Sequence, residues 1–161
     1  MIKQFCDWLS ATALCGLISN HYWVIPTVQT VHIVSIGVVV SSMAMLHFRL
    51  LGLAGRSQSI AAVAGRFLPW TWGAVVVLLC SGALLIIGEP SRELTSAVFW
   101  LKMELVLCAL LLTGAFQAVL SRGHGFWERH RVFAGAVAVV SLGLWASIVV
   151  AGRWIAYMAH G

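Results

Sequence analysis

The chain has 161 residues, 61% of them hydrophobic and only 9% charged, with a formal net charge of +5. Soluble domains carry about 25% charged residues, so this composition excludes a water-soluble globular protein. It points instead to a chain that keeps most of its surface in lipid.

The first segment, "MIKQFCDWLSATALCGLISN", is apolar only from about Leu9 to Ile18. That run is shorter than the roughly 20 residues needed to cross a hydrocarbon core. A basic start followed by a short apolar run also opens a signal peptide, but Asp7 does not suit such a leader. Phe5, Trp8, Leu9 and Thr12 recur at helical spacing. The pattern predicts an amphipathic helix over residues 3–19 lying in the membrane interface.

Four longer apolar stretches follow, at residues 23–48, 67–88, 97–120 and 132–151. Each is long enough to span at a rise of about 1.5 Å per residue, and none alternates in polarity as barrel strands do. Short connections make neighbouring spans antiparallel. The predicted fold is all-α, an integral membrane four-helix up-down bundle in one domain over residues 1–161, with no repeat or linker.

The first span carries His32 and His47. At about 100° per residue, Val28, Gln29, Ser35, Ile36, Val39, Met43 and His47 project within about 60° of His32. This mixed stripe faces other helices better than lipid. His32 lies roughly 12 Å inside one end, and His47 lies near the other, as a boundary residue beside Arg49. Pro26 falls in the first helical turn, where a missing N–H costs little, and Pro69 is expected to do the same for the second span. That span also contains "CSGALL" around Gly82.

The third span opens with "FWLKMEL", which places Lys102, Met103 and Glu104 near the depth of His32. Lys102 and Glu104 are two residues apart and cannot pair well with each other. One can snorkel outward, and the other needs a partner among Glu89, Gln29 and His32. Intramembrane charge costs roughly 2.5–3.5 kcal/mol at mid-span on insertion scales. In the fourth span, Ala134, Ala138 and Ser141 form a small-residue face suited to close packing.

Trp23, Trp70, Trp72, Trp100, Trp127 and Trp154 fall near predicted helix ends, as interfacial anchors do. Cys80 and Cys108 lie near mid-span, where Cys commonly fills space. Spacing leaves open whether Cys6 and Cys15 pair.

Six basic residues (Arg49, Arg56, Arg66, Arg122, Arg129 and Arg131) lie at two loops on one side, opposed only by Glu128. On the other side Lys3, Arg92, Lys102 and Arg153 balance Asp7, Glu89, Glu93 and Glu104. The positive-inside tendency places the basic loops in the cytoplasm and both termini in the periplasm. The basic balance reflects topology and contact with anionic lipid, not nucleic acid.

Two histidines about four turns apart on one helix suit a cytochrome with stacked b-type haems, each needing a further axial ligand from another helix. For the outer site, the candidate set is His32 with Met103. For the inner site, it is His47 with His124 or His130. A plainer reading makes His32 a hydrogen-bonding tie between helices and His47 an interfacial polar residue. Met43 and His47 share a face that would suit copper, and Lys102 and Glu104 suit either a depth-fixing pair or a proton- or quinone-linked site. No Gly-rich phosphate loop, His-Glu-x-x-His motif or Gly-x-Ser-x-Gly elbow is present. Charges are too few for a transporter cavity.

The stretches "IPTVQTVHIVSIGV", "HFRLLGL", "FLPWTWGA", "SGALLIIGEP" and "FWLKMEL" resemble a family of uncharacterised small four-helix bacterial inner-membrane proteins, a domain of unknown function. The resemblance covers nearly the whole chain. In that pattern Glu or Gln stands three residues before His, matched by Gln29 and His32, and "RLLG" is matched by Arg49 to Gly52. An Asp is common where this chain has His47. The layout is similar to that of b-type cytochrome and copper-resistance membrane proteins.

Two functions remain open at this point. One is a membrane subunit binding haem b through His32 and exchanging electrons with quinone. The other is a cofactor-free scaffold or anchor, packed against other membrane subunits or further copies of itself.

Overall fold

Ser59 shows how local chemistry sets the fold. It is extended, and its hydroxyl accepts the backbone N–H of Ala62 at 3.1 Å. That N-cap starts a helix seven residues before the apolar run it leads into. The computed structural model describes residues 2–123 and 125–158, without the side chains of 155–158. It contains α1 (Ile2–Ser10), α2 (Ala13–Ser19), α3 (Val24–Leu50), α4 (Ile60–Gly88), α5 (Pro90–Leu94), α6 (Ala97–Arg122), α7 (Phe126–Arg129) and α8 (Arg131–Met158). No strand occurs among the described residues.

The four long helices, α3, α4, α6 and α8, are each long and apolar enough to cross a membrane. The protein is an all-α, multi-pass membrane bundle. Its closest pairing is α3 with α4, followed by α6 with α8 and α3 with α8. Along α8, Ala134, Ala138, Ser141, Trp145 and Ile148 are buried at alternating spacings of four and three. On α3, Ser35, Val39, Ser42 and Leu46 do the same. Small residues at these positions let backbones approach where lipid supplies no hydrophobic drive. The predicted α3 stripe is therefore the packed face: Ser35, Val39, Met43 and His47 are buried, and Val28, Gln29 and Ile36 half-buried.

Two apolar cores fill the bundle. A central one joins Val39 and Met43 to Ala74, Val75, Ala109, Trp145 and Ile148. The other, toward the arginine-rich end, joins Leu46 and Leu50 to Ile60, Ala64, Leu68, Phe116, Trp127, Ala134 and Ala138.

Several expectations are corrected. The 3–19 segment is two helices. Thr12 breaks it by donating its hydroxyl to Leu9 O at 2.6 Å while accepting the N–H of Cys15 at 3.3 Å. Residues 51–59 alone connect α3 to α4, turning at Gly52 and Gly55, whose positive φ values of 71° and 63° favour glycine. Pro69 is interior to α4, not in its first turn, and is exposed. Its missing N–H costs less there because the freed carbonyl one turn back belongs to exposed Gly65. Trp70 and Trp72 consequently lie well inside α4. At 29 residues α4 is about 43 Å long, more than the thickness of a hydrocarbon core. Trp127 is buried in the core, tilted against Phe116 at 4.6 Å and parallel to the Phe133 ring at 5.9 Å. Cys80 and Cys108 are exposed on the bundle surface, not interior fillers.

At the end away from the arginine loops, α1 and α2 fold over α4 and α5. Cys15 donates its thiol to Gly88 O at 3.9 Å, and Cys6 to Pro90 O at 3.6 Å. Both cysteines are buried free thiols.

Candidate functional site

His32 leaves α3 toward α4. Its Nδ1 lies 2.8 Å from the hydroxyl of Ser81, which is 4% exposed. Ser81 Oγ in turn sits 2.7 Å from Val77 O, one turn back on its own helix. A hydroxyl has one proton. Spent on the Val77 carbonyl, it leaves the Ser81 oxygen to accept from an Nδ1–H of His32. This arrangement favours the Nδ1–H tautomer, in which Nε2 carries a lone pair without a hydrogen bond among the described residues. The ring also lies against Gly82, where an added Cβ would stand 3.5 Å from His32 Cε1, an ordinary packing distance.

Lys102 turns into the bundle. Its ammonium lies 5.3 Å from the centroid of the Phe99 ring, a cation–π approach. Its Cδ stands 4.0 Å from a Cβ built on Gly152 of α8. The ammonium is in electrostatic reach of both His32 and Glu93. The expected partner Glu89 is taken by Arg92 at 2.5 Å. Glu93, in the short helix α5, is the acidic neighbour instead. Gln29 is half-buried on α3.

The other two residues of the "KME" triplet point elsewhere. Met103 is 37% exposed, and Glu104 is also exposed, without an ion pair among the described residues. Since α6 docks chiefly on α8, the structure joins His32 to Ser81, with Lys102 nearby. It does not gather His32 with Met103.

His47 differs from the expected boundary residue. It is 3% exposed, on the turn that gives Leu46 and Leu50 to the core, and its Nδ1 lacks a well-formed hydrogen bond. The short 51–59 connection explains this, because it folds the start of α4 directly over that end of α3. His130 is exposed, with Nδ1 3.0 Å from Phe126 O. His124 and His160 lie outside the described residues. Among the described residues, no group of three His, Cys, Asp or Glu side chains is placed to hold a metal ion.

Ser81 and Glu93 were missed in the sequence. A lone Ser in an apolar span at the depth of a lone His was the available signal for Ser81. Glu93 looked like a loop residue and became visible only once α5 was folded back.

The arrangement can tie α3 to α4, hold a neutral imidazole in one orientation, and place a cation beside it. The chain matches the family of unknown function DUF6644 over residues 5–158 and belongs to that family. No curated protein and no solved structure matches it.

Proposed function

We propose that this protein is a cofactor-free integral membrane subunit, a scaffold or anchor within a larger membrane assembly, and that α6 is the helix that meets its partner. Glu104 carries this reading. It is a carboxylate exposed on a membrane-length helix, about two turns inside its end, with no ion-pair partner among the described residues. Exposed charge at such depth is costly in lipid. A neighbouring transmembrane chain offering a cation or hydrogen-bond donor at that level removes the cost. Trp100, Leu101, Met103, Leu107 and Leu111 surround Glu104 with exposed apolar surface on the same helix. A symmetric contact between two copies centred here would set one Glu104 against the other, so a different chain is the better partner.

In this reading His32 is a helix tie. Its polar contact is internal, and its ring packs against Gly82 at ordinary distance. The topology that accompanies it has the arginine loops in the cytoplasm of a bacterial inner membrane.

Two measurements test the proposal. Extracted from its native membrane in mild detergent, the assembly should be larger than the 17.4 kDa chain plus micelle, and Glu104→Lys should reduce it to the free chain. An unchanged assembly in that variant removes α6 as the interface. The second measurement addresses haem. The free Nε2 of His32, oriented by a hydrogen bond on Nδ1, is competent as a ligand, which keeps a haem-b reading with quinone-linked electron transfer as the rival. Oxidised and dithionite-reduced spectra should show no Soret band. A band that His32→Ala abolishes would replace the scaffold reading with the cytochrome one.

A further inference from the structure

At the arginine-rich end of the bundle lies a cavity of about 400 Å³, bounded by the end of α3, the 51–59 connection, the start of α4, α7 and the start of α8. Arg49, Arg56 and Arg131 reach it from three different elements, and Trp127 forms part of its wall. We propose that this cavity binds a phosphate oxyanion, presented as the headgroup of an anionic membrane phospholipid.

Three observations lead there. First, none of the three arginines has a carboxylate within ion-pair distance among the described residues. Three uncompensated guanidinium groups around one space repel one another unless an anion joins them.

Second, among the described residues two of them are held in place through Nε alone. Arg49 donates to Gln58 O at 2.6 Å, and Arg56 donates to Gly52 O. Their terminal nitrogens stay available, and guanidinium forks match phosphate oxygens in pairs.

Third, Glu128 is the one acidic residue of the wall, and it is already engaged. Its Oε1 accepts the backbone N–H of Ile60 at 3.3 Å, at the start of α4. It makes no ion pair with the arginines among the described residues, and three guanidinium groups against one carboxylate leave the wall at a net charge of +2.

The remaining wall selects a lipid over a small soluble anion. Leu50, Leu51 and Ile60 give the same cavity an apolar side, suited to the glycerol and first acyl carbons behind a headgroup phosphate. The cavity also sits where the membrane-length helices end, at headgroup level. Basic pockets between helix ends are a known way to hold anionic lipid heads. Because Arg49 comes from α3, Arg131 from α8 and Arg56 from their neighbouring loop, one phosphate there would cross-link the ends of three segments.

The test uses the full chain in neutral detergent, titrated with phosphatidylglycerol, with phosphatidylcholine, or with inorganic phosphate, and read by thermal unfolding and by native mass spectrometry. Phosphatidylglycerol should bind at one saturable site and raise the unfolding temperature. Phosphatidylcholine should not, and inorganic phosphate should act only at concentrations at least tenfold higher. Equal potency of inorganic phosphate would make this a soluble-anion site and overturn the lipid assignment. Arg49→Gln with Arg131→Gln should weaken phosphatidylglycerol binding at least tenfold. Arg66→Gln with Arg122→Gln, on the same side but outside the cavity, should leave it unchanged. Equal losses in both double variants would reduce the effect to general surface charge and overturn the site. Should the first double variant fold poorly, Arg56→Gln alone, in an exposed position of the connection, must still weaken binding severalfold, and unaltered binding there refutes the proposal.

Discussion

His32 and His47 sit on the same helix, and their surroundings are opposites. His32 is half-buried and bonded to Ser81 at 2.8 Å. His47 is 3% exposed in an apolar core, and its ring makes only a poorly formed contact with the Met43 backbone one turn back on its own helix. Depth along the span would have ranked His32 as the costlier residue. What decides the cost is the facing helix. At His32, α4 offers a buried hydroxyl; near His47, the packed neighbours are Leu, Ile, Val and Trp. The two ends of the bundle differ in the same way. One is held by discrete polar contacts, including those of Cys6 and Cys15, and the other by aromatic packing beneath a ring of arginines.

The largest test of that contrast is Trp127→Ala. Removing a buried indole packed between Phe116 and Phe133 should cost about 3–5 kcal/mol, seen as a lower denaturation midpoint in detergent. Trp154→Ala, at an exposed position, should change the midpoint little. Similar losses from both would mean that the arginine-rich end is not anchored through Trp127.

Next in size is Gly88→Ala, at the other end. A Cβ there would come within 2.9 Å of Ile18 Cγ2, so the Ile18 side chain or the turn of α2 that carries it must shift. Overpacking of this kind costs about 1–3 kcal/mol. The clearer signal is chemical: Cys15, buried beside Gly88 in the native protein, should become reactive to maleimide. Gly82→Ala is the matched control, because its Cβ would meet His32 Cε1 at an ordinary 3.5 Å. Unchanged Cys15 labelling in Gly88→Ala would show that α2 is not held by that contact.

How far these features can be read from the sequence depends on whether they are local or formed by contacts between elements. Apolar run length sets the four spans, and helical spacing sets the inward stripe of α3, so both were legible. The start of α4 was not, because Arg66 ended the apolar run although Ser59 and the alanines after it continue the helix. Trp127 looked like an anchor from its position beside a loop, but burial depends on what folds over it. His32 was legible as a polar residue needing a helix, yet its partner Ser81 is 49 residues away. Lys102 illustrates the same limit. The neighbouring Arg92 captures the expected Glu89, a competition set by the one-turn helix α5.

The third test bears on the polar end alone. Ser81→Ala removes the acceptor for His32, and interhelical hydrogen bonds within membranes contribute about 0.6 kcal/mol on average and about 1.7 at most. The loss should fall in that range. It should also vanish when Ser81→Ala is made on a His32→Ala background, since the double-mutant cycle then has no bond left to break. A full Ser81→Ala loss in the absence of His32 would assign the effect to packing of α4 instead of the bond.

The smallest expected change is the most discriminating one, because its sign differs between the two histidines. Replacing a satisfied polar group loses a bond, whereas replacing a buried and poorly paired one removes a desolvation penalty that offsets what is lost. His32→Leu should therefore destabilise the bundle. His47→Leu places an apolar side chain between Leu46 and Leu50 and eliminates the poorly paired Nδ1. It should leave the denaturation midpoint unchanged or raise it. If His47→Leu instead lowers the midpoint as much as His32→Leu does, His47 has a polar partner in the membrane, and the contrast between the two ends of α3 fails.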